Sequence, residues 1–182
     1  MNNSSKPISL MIVHPDLGSG GAERQIVQLC NSINKEKINV TLILYNRSGL
    51  FLDLVKNVPG LEIVTMNAPK SFLGINRILT LIRLIRQYRP SVIYSYLENV
   101  NVVTGICRIF CRTPKIVWGI RVSRYSLKTR SLKDVVIHRL ACLFSSQADL
   151  VIANNKRGLE QFHNSGYVPR SSKIILNGID SD

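Results

Sequence analysis

The sequence predicts a doubly wound α/β domain, a parallel sheet with helices on both faces. Three observations lead there. Apolar segments of strand length alternate with segments of helical spacing along the whole chain. The strand segments are continuously apolar rather than alternating in polarity, as expected of strands covered on both faces. The first strand also runs into a glycine-rich turn, His14-Pro15-Asp16-Leu17-Gly18-Ser19-Gly20-Gly21, that opens directly onto a helix.

Ile8–Val13 forms the predicted first strand. After the turn, Ile26, Val27, Leu29, Cys30 and Ile33 recur at helical spacing, so a helix begins near Ala22 or Glu23. Gly18, Gly20 and Gly21 allow close approach of the backbone. The helix start adds unpaired N–H groups and the positive end of its dipole. The turn therefore reads either as a seat for a phosphate or diphosphate, or as a tight connection that binds nothing.

Asn39–Tyr45 is the second strand, a short helix is expected over Phe51–Lys56, and Leu61–Met66 is the third strand. An amphipathic helix follows from about Gly74 to Tyr88, with Ile78, Leu81, Ile82 and Ile85 as its apolar stripe, until Pro90 stops the pattern. Ser91–Tyr96 is strand four, Asn101–Phe110 a helix, and Lys115–Ile120 strand five. A helix over Leu132–Ser145, strand six at Asp149–Ala153, a helix from Asn155 or Lys156 to near Ser165, and a short strand at Lys173–Leu176 complete the order. In such a sheet ligands bind beyond the carboxyl ends of the strands, beside the first strand. The stretches on that rim are 14–23, 96–99 and 121–130.

Composition narrows the class. At 182 residues, 45% hydrophobic and 19% charged, the chain suits one globular domain with a proper core. The 24 Lys and Arg outnumber the 11 Asp and Glu, a net of +13 that favours anionic partners. No apolar run reaches transmembrane length and residues 1–6 lack the core of a signal peptide, which points to a cytoplasmic protein, peripheral on the inner face of the membrane at most. Cys30, Cys107, Cys111 and Cys142 fall in apolar helical stretches without neighbouring ligands, and read as reduced core residues. No metal and no cofactor is expected. A dinucleotide fingerprint fails, because Glu23 stands where a third glycine or alanine belongs and Tyr45, Asn46 and Arg47 offer no ribose-binding acid. A P-loop fails because no Gly-Lys-Ser/Thr follows the turn.

Gly20-Gly21-Ala22-Glu23-Arg24 after a first strand resembles the start of glycosyltransferase family 4 enzymes, retaining transferases of GT-B architecture. Ile175-Leu176-Asn177-Gly178-Ile179-Asp180 is similar to that family's crossover into its second domain. The resemblance implies a Rossmann-like N-terminal, acceptor-side domain over residues 1–176, with residues 177–182 starting the crossover to a donor domain that carries the paired-glutamate motif. It implies a nucleotide-sugar donor, a cell-surface or lipid-linked glycan acceptor, and no turnover by this chain alone. Gly20 and Gly21 match the loop that approaches the donor diphosphate. Where many members have a histidine after strand five, this sequence has Arg121, a permanent cation unable to act as a base, which either holds a phosphate of the acceptor or donor or is a solvated loop residue.

Further candidates lie on the same rim. His14 is a structural or a reacting histidine, and Glu98 orients an acceptor hydroxyl or simply stabilises a helix start. Arg124 joins Arg121 in a basic segment with Tyr125, Lys128 and Arg130, with no RNA-binding motif and so no nucleic acid expected. Lys70, Arg77, Arg83, Arg86 and Arg89 crowd the amphipathic helix without an intervening acid, and read either as a solvated helix face or, for Arg77, Arg83 and Arg86, as contacts to an anionic membrane surface. A non-catalytic basic domain binding a membrane or nucleic acid is the competing class.

Overall fold

The computed structural model describes residues 6–67, 74–112, 114–120 and 131–177. The expectations for Lys70, for Arg121, Arg124, Tyr125, Lys128 and Arg130, and for residues 178–182 lie outside the described residues.

Strands β1 (Ile8–His14), β2 (Ile38–Leu44), β3 (Leu61–Thr65), β4 (Val92–Tyr96), β5 (Lys115–Ile120), β6 (Leu150–Ala153) and β7 (Ser172–Ile174) form one sheet. Its order is β3-β2-β1-β4-β5-β6-β7, and every pairing is parallel. The strand order reverses between β1 and β4, which creates the crevice in which such sheets bind ligands. The helices are α1 (Gly21–Ser32), α2 (Ile75–Tyr88), α3 (Glu98–Phe110), α4 (Leu132–Phe144) and α5 (Lys156–Asn164).

Side-chain alternation along the strands divides the core between the two faces. Met11 and Val13 of β1 pack with Leu81, Ile82 and Ile85 of α2 and Val100, Val103 and Cys107 of α3. Ile12, between them in sequence, packs on the other face with Ile26, Val27 and Cys30 of α1 and with Tyr94 and Tyr96 of β4. A third cluster gathers Trp118 and Ile120 of β5, Ala141 of α4, Val151 of β6 and Phe162 of α5. The four cysteines are reduced, and Cys30, Cys107 and Cys111 are buried. Burial pushes the Cys30 thiol up to about 11 and the Cys107 thiol up to about 12, so both are inert apolar groups.

Two expected elements differ. Phe51–Lys56 is a run of turns, not a helix. Its carbonyls close short i→i+3 bonds, Phe51 to Leu54 and Leu52 to Val55, both 3.2 Å, while the Phe51 N–H is tied to the Leu17 carbonyl at 3.0 Å. So short a segment, anchored at its start and ended by Pro59-Gly60, does not nucleate an α-helix. Conversely, α3 starts at Glu98, three residues before the expected Asn101, because Leu97 turns the chain with φ +73° and the Asn101 N–H already bonds the Leu97 carbonyl at 2.9 Å.

Candidate functional site

The glycine turn is fixed by backbone bonds to the loop after β2. Tyr45 N–H bonds the His14 carbonyl at 3.1 Å, Asn46 N–H that of Pro15 at 2.9 Å, and Leu17 N–H that of Ser48 at 2.9 Å. Leu17 itself is fully buried and plugs the turn into the core. The Gly18 N–H is spent on the Asp16 carboxylate at 3.1 Å, so this glycine shapes the turn and its donor already has a partner. Gly20 caps α1 with no side-chain bond, and Gly21 is exposed, with nothing within 4 Å of where a Cβ would stand. The first N–H groups of a helix have no partner within it, and α1 begins here at the exposed Gly21.

The Glu23 carboxylate folds back toward Gly20, where an added Cβ would collide with it. Beneath lies His14, fully buried at the end of β1. Its Nδ1 lies 2.6 Å from the Asp16 carbonyl. A carbonyl only accepts, so Nδ1 carries the proton and Nε2 is the bare nitrogen of the neutral ring. That Nε2 is buried without a hydrogen-bond partner and stands 4.0 Å from Glu23 Oε1. Burial pulls the His14 pKa below 6.5, against the Asp16 carbonyl and the Glu23 and Asp16 charges, which raise it.

Across the crevice a cleft of about 390 Å³ opens at the ends of β4 and β5. Glu98, Asn99 and Asn101 from the start of α3, Lys133 and Asp134 from the start of α4, and apolar Ile120, Ile137 and Phe162 line it. Side chains hold its floor. Ser95 donates to Asn101 Oδ1 at 2.8 Å, and Trp118 Nε1 donates to Thr104 Oγ1 at 3.1 Å, tying α3 to β4 and β5. Glu98 Oε1 accepts from Tyr167 Oη at 2.5 Å and from His138 Nδ1 at 2.8 Å. Sequence reasoning singled out Glu98 and passed over His138 and Tyr167, because positions 98, 138 and 167 come together only when α3, α4 and the turn after α5 pack.

The expected membrane-facing arginines divide. Arg83 and Arg86 are on the exposed face of α2 with Ile75 and Leu79. Arg77, about half a revolution from Arg86 around the helix, lies over the Tyr45 ring at 4.8 Å and is not brought onto that face. Arg86 also borders a second cleft, of about 380 Å³, with Arg89, Arg112 and the half-exposed Phe110, at the opposite end of the sheet from Glu98.

Residues 19–182 match the sequence profile of Glycosyltransferase Family 4. The chain belongs to glycosyltransferase family 4. Its fold is that of one half of GT-B glycosyltransferases. Anabaena HepE, solved in complex with UDP and glucose, is similar with a TM-score of 0.73 at 21% identity, over 95% of this chain and 45% of HepE. Sucrose-phosphate synthase from Thermosynechococcus elongatus is similar with a TM-score of 0.76 at 12% identity, over 93% and 48%. The lipopolysaccharide outer core galactosyltransferase WaaB, in its apo form, follows with 0.64 at 16% identity, over 94% and 46%. The chain thus spans about half the length of these structures. The sequence matches no curated protein. Among the described residues of this family 4 chain, no three His, Cys, Asp or Glu gather as metal ligands, and no helix is long and apolar enough to cross a membrane.

Proposed function

We propose that this family 4 chain is the N-terminal, acceptor-side half of a retaining glycosyltransferase. In this reading it acts with a nucleotide-sugar-binding domain to move a hexosyl group from a nucleotide-sugar donor to a cell-surface or lipid-linked glycan. Residues 1–176 form the half-enzyme and residues 177–182 begin the crossover. The observation that carries the reading is the exposed start of α1 at Gly21, on the same rim as the Glu98 cleft. Backbone N–H groups there stabilise the negative charge that grows on a departing diphosphate. The cleft across the crevice receives the acceptor, with Glu98 holding its hydroxyl. The neighbour solved with UDP and glucose supports a nucleotide-sugar partner.

Gly21→Val, in the chain joined to its donor domain, tests this. The new side chain meets open space in the fold, so melting should hardly change, while release of UDP from UDP-glucose or UDP-galactose should fall about a hundredfold, the scale of losing oxyanion donors. Unchanged turnover would reduce the glycines to a turn. The chain without a donor domain should release no UDP from either donor.

The same reading places the enzyme at the inner, anionic face of a membrane. The exposed face of α2 supports it, since Ile75 and Leu79 there flank Arg83 and Arg86. Each such cation contributes about 1 kcal/mol near an anionic leaflet. The chain should sediment with phosphatidylserine vesicles and not with phosphatidylcholine vesicles, salt should release it, and Arg83→Glu with Arg86→Glu should abolish the difference. Equal binding to both vesicles would remove the electrostatic contribution.

A further inference from the structure

Glu98 begins α3, where the helix dipole favours a negative charge. A carboxylate has room for about four hydrogen bonds. His138 and Tyr167 place two of them on Oε1, from groups that are themselves almost fully buried. The arrangement is over-determined. Tyr167 Oη also lies 3.2 Å from His138 Nδ1, the two rings meet edge to face at 5.3 Å, and Tyr167 stacks on Phe162 at 3.7 Å. Behind the imidazole, Cys142 Sγ lies 3.7 Å from Nε2 and contacts the Ser165 carbonyl at 3.2 Å. So many partners fix the carboxylate's rotamer far more firmly than a helix start requires. A capping acid works from solvent, as Asp134 does at α4 by bonding the Ser131 hydroxyl at 2.7 Å.

The cleft in front of Glu98 has the composition of a sugar site. Its volume of about 390 Å³ is within the usual range of small-molecule sites, ~300–1,000 Å³. Its lining combines Glu98, Asn99 and Asp134, which bond hydroxyls, with Ile120, Ile137 and Phe162, which suit the apolar face of a pyranose. The described lining residues carry two carboxylates, Glu98 and Asp134, and one lysine, Lys133.

We propose that the Glu98 carboxylate accepts hydrogen bonds from the hydroxyls of an uncharged sugar ring in this cleft, and that His138 and Tyr167 are positioning residues that lock it for that role. This rests on the acceptor-side reading above and names the part of the acceptor that this half of the rim takes. His138 and Tyr167 touch no substrate. They act by holding Oε1, so that a binding sugar does not have to order the carboxylate, and preorganisation of this kind appears directly as affinity.

The experiment uses the 182-residue chain, with methyl glycosides of glucose, galactose, mannose and N-acetylglucosamine and, separately, glucose 1-phosphate. Affinities come from amide shifts at residues 97–101 and 133–137, and folding from melting curves. At least one glycoside should bind there, and more tightly than glucose 1-phosphate. Glu98→Gln keeps an oxygen for His138 and Tyr167 but offers an amide donor in place of a charged acceptor. It should weaken the glycoside about tenfold, the worth of one charge-assisted bond. Tyr167→Phe and His138→Leu should each weaken it several-fold, whereas His138→Asn, which restores a donor near Nδ1, should recover most of the loss.

If Glu98→Gln weakens binding while Tyr167→Phe and His138→Leu lower only the melting temperature, the positioning role is overturned and the acceptor-side reading stands. If Glu98→Gln binds like the parent chain, or no glycoside binds to the folded chain, the sugar cleft is overturned and the positioning role with it. Tighter binding of glucose 1-phosphate at the same amides overturns the uncharged class.

Discussion

The two halves of the rim are built by different means. Around the glycine turn the fastenings are main-chain bonds, from Leu17 to Ser48, from Phe51 to Leu17 and from Asn46 to Pro15. Around the cleft they are side-chain bonds, Ser95 to Asn101, Trp118 to Thr104, and Glu98 to His138 and Tyr167. Each half also has a buried histidine facing a glutamate. His138 bonds its carboxylate at 2.8 Å, whereas His14 Nε2 stops 4.0 Å short of Glu23 without a hydrogen bond. The difference teaches where each half tolerates change. A main-chain-held loop is indifferent to most of its side chains but intolerant wherever a Cβ meets backbone. A side-chain-held cleft is broken by losing single functional groups, because a buried partner left unpaired costs its full desolvation.

The largest expected effect breaks the main-chain-held half. Gly49 has φ +119°, and an added Cβ would collide with the Leu17 carbonyl and the Gly18 nitrogen, neither of which can move without releasing the turn. Gly49→Ala should therefore destabilise the chain by about 3 kcal/mol or more, read as a fall in urea midpoint. Gly21→Ala, chemically the same change, meets nothing within 4 Å and should be silent in that measurement. Equal midpoints for the two variants would mean that the turn is not held by its backbone.

The next effect breaks the other half. Glu98→Leu leaves the Nδ1 of His138 and the hydroxyl of Tyr167 without their carboxylate, at a cost of about 2 kcal/mol. Glu98→Gln, which keeps an acceptor, should recover most of it. The contrast between leucine and glutamine at one position, measured by the same unfolding curves, separates bonding from bulk.

The ease of reading each half from sequence follows from the same difference. The glycine turn is legible because its information is local, with strand, glycines and helix start contiguous from Ile8 to Ser32. The strands could be read because burial on both faces makes them continuously apolar, and all seven start and end within two residues of expectation. Phe51–Lys56 misleads because its apolar residues, Leu52 and Val55, are buried by turns tethered to Leu17 and not by a helix of their own. The start of α3 has no periodic signal because Glu98 and Asn99 are polar and line the cleft. The Glu98–His138–Tyr167 cluster has no sequence signal, since its members are 40 and 29 positions apart and nothing in their spacing reports the packing of α4 on α3. Arg77 shows the same limit: its charge suggested a surface, while the end of β2 supplies the Tyr45 ring that it covers.

The smallest effect sharpens the contrast between the two histidines, and its sign is set by burial. The folded chain holds His14 neutral at a pH where the unfolded chain, with the ordinary value of 6.5, already binds a proton. Acid therefore favours the unfolded state, and stability falls as pH drops through 6.5, levelling off only below the depressed folded value. His14→Asn keeps a donor for the Asp16 carbonyl and removes the titration, so the loss of stability between pH 7.5 and 5.5 should shrink even if the variant is less stable throughout. Glu23→Gln works in the opposite direction. The Glu23 charge raises the His14 pKa, so its removal should lower that value further and extend the loss to lower pH, while stability at pH 7.5 barely moves. Imidazole proton shifts followed against pH read the value directly, and urea unfolding reads its consequence. A His14 that titrates above 6.5 would mean that the Glu23 charge outweighs burial, and that the turn closes on a protonated His14–Glu23 pair instead of a neutral ring.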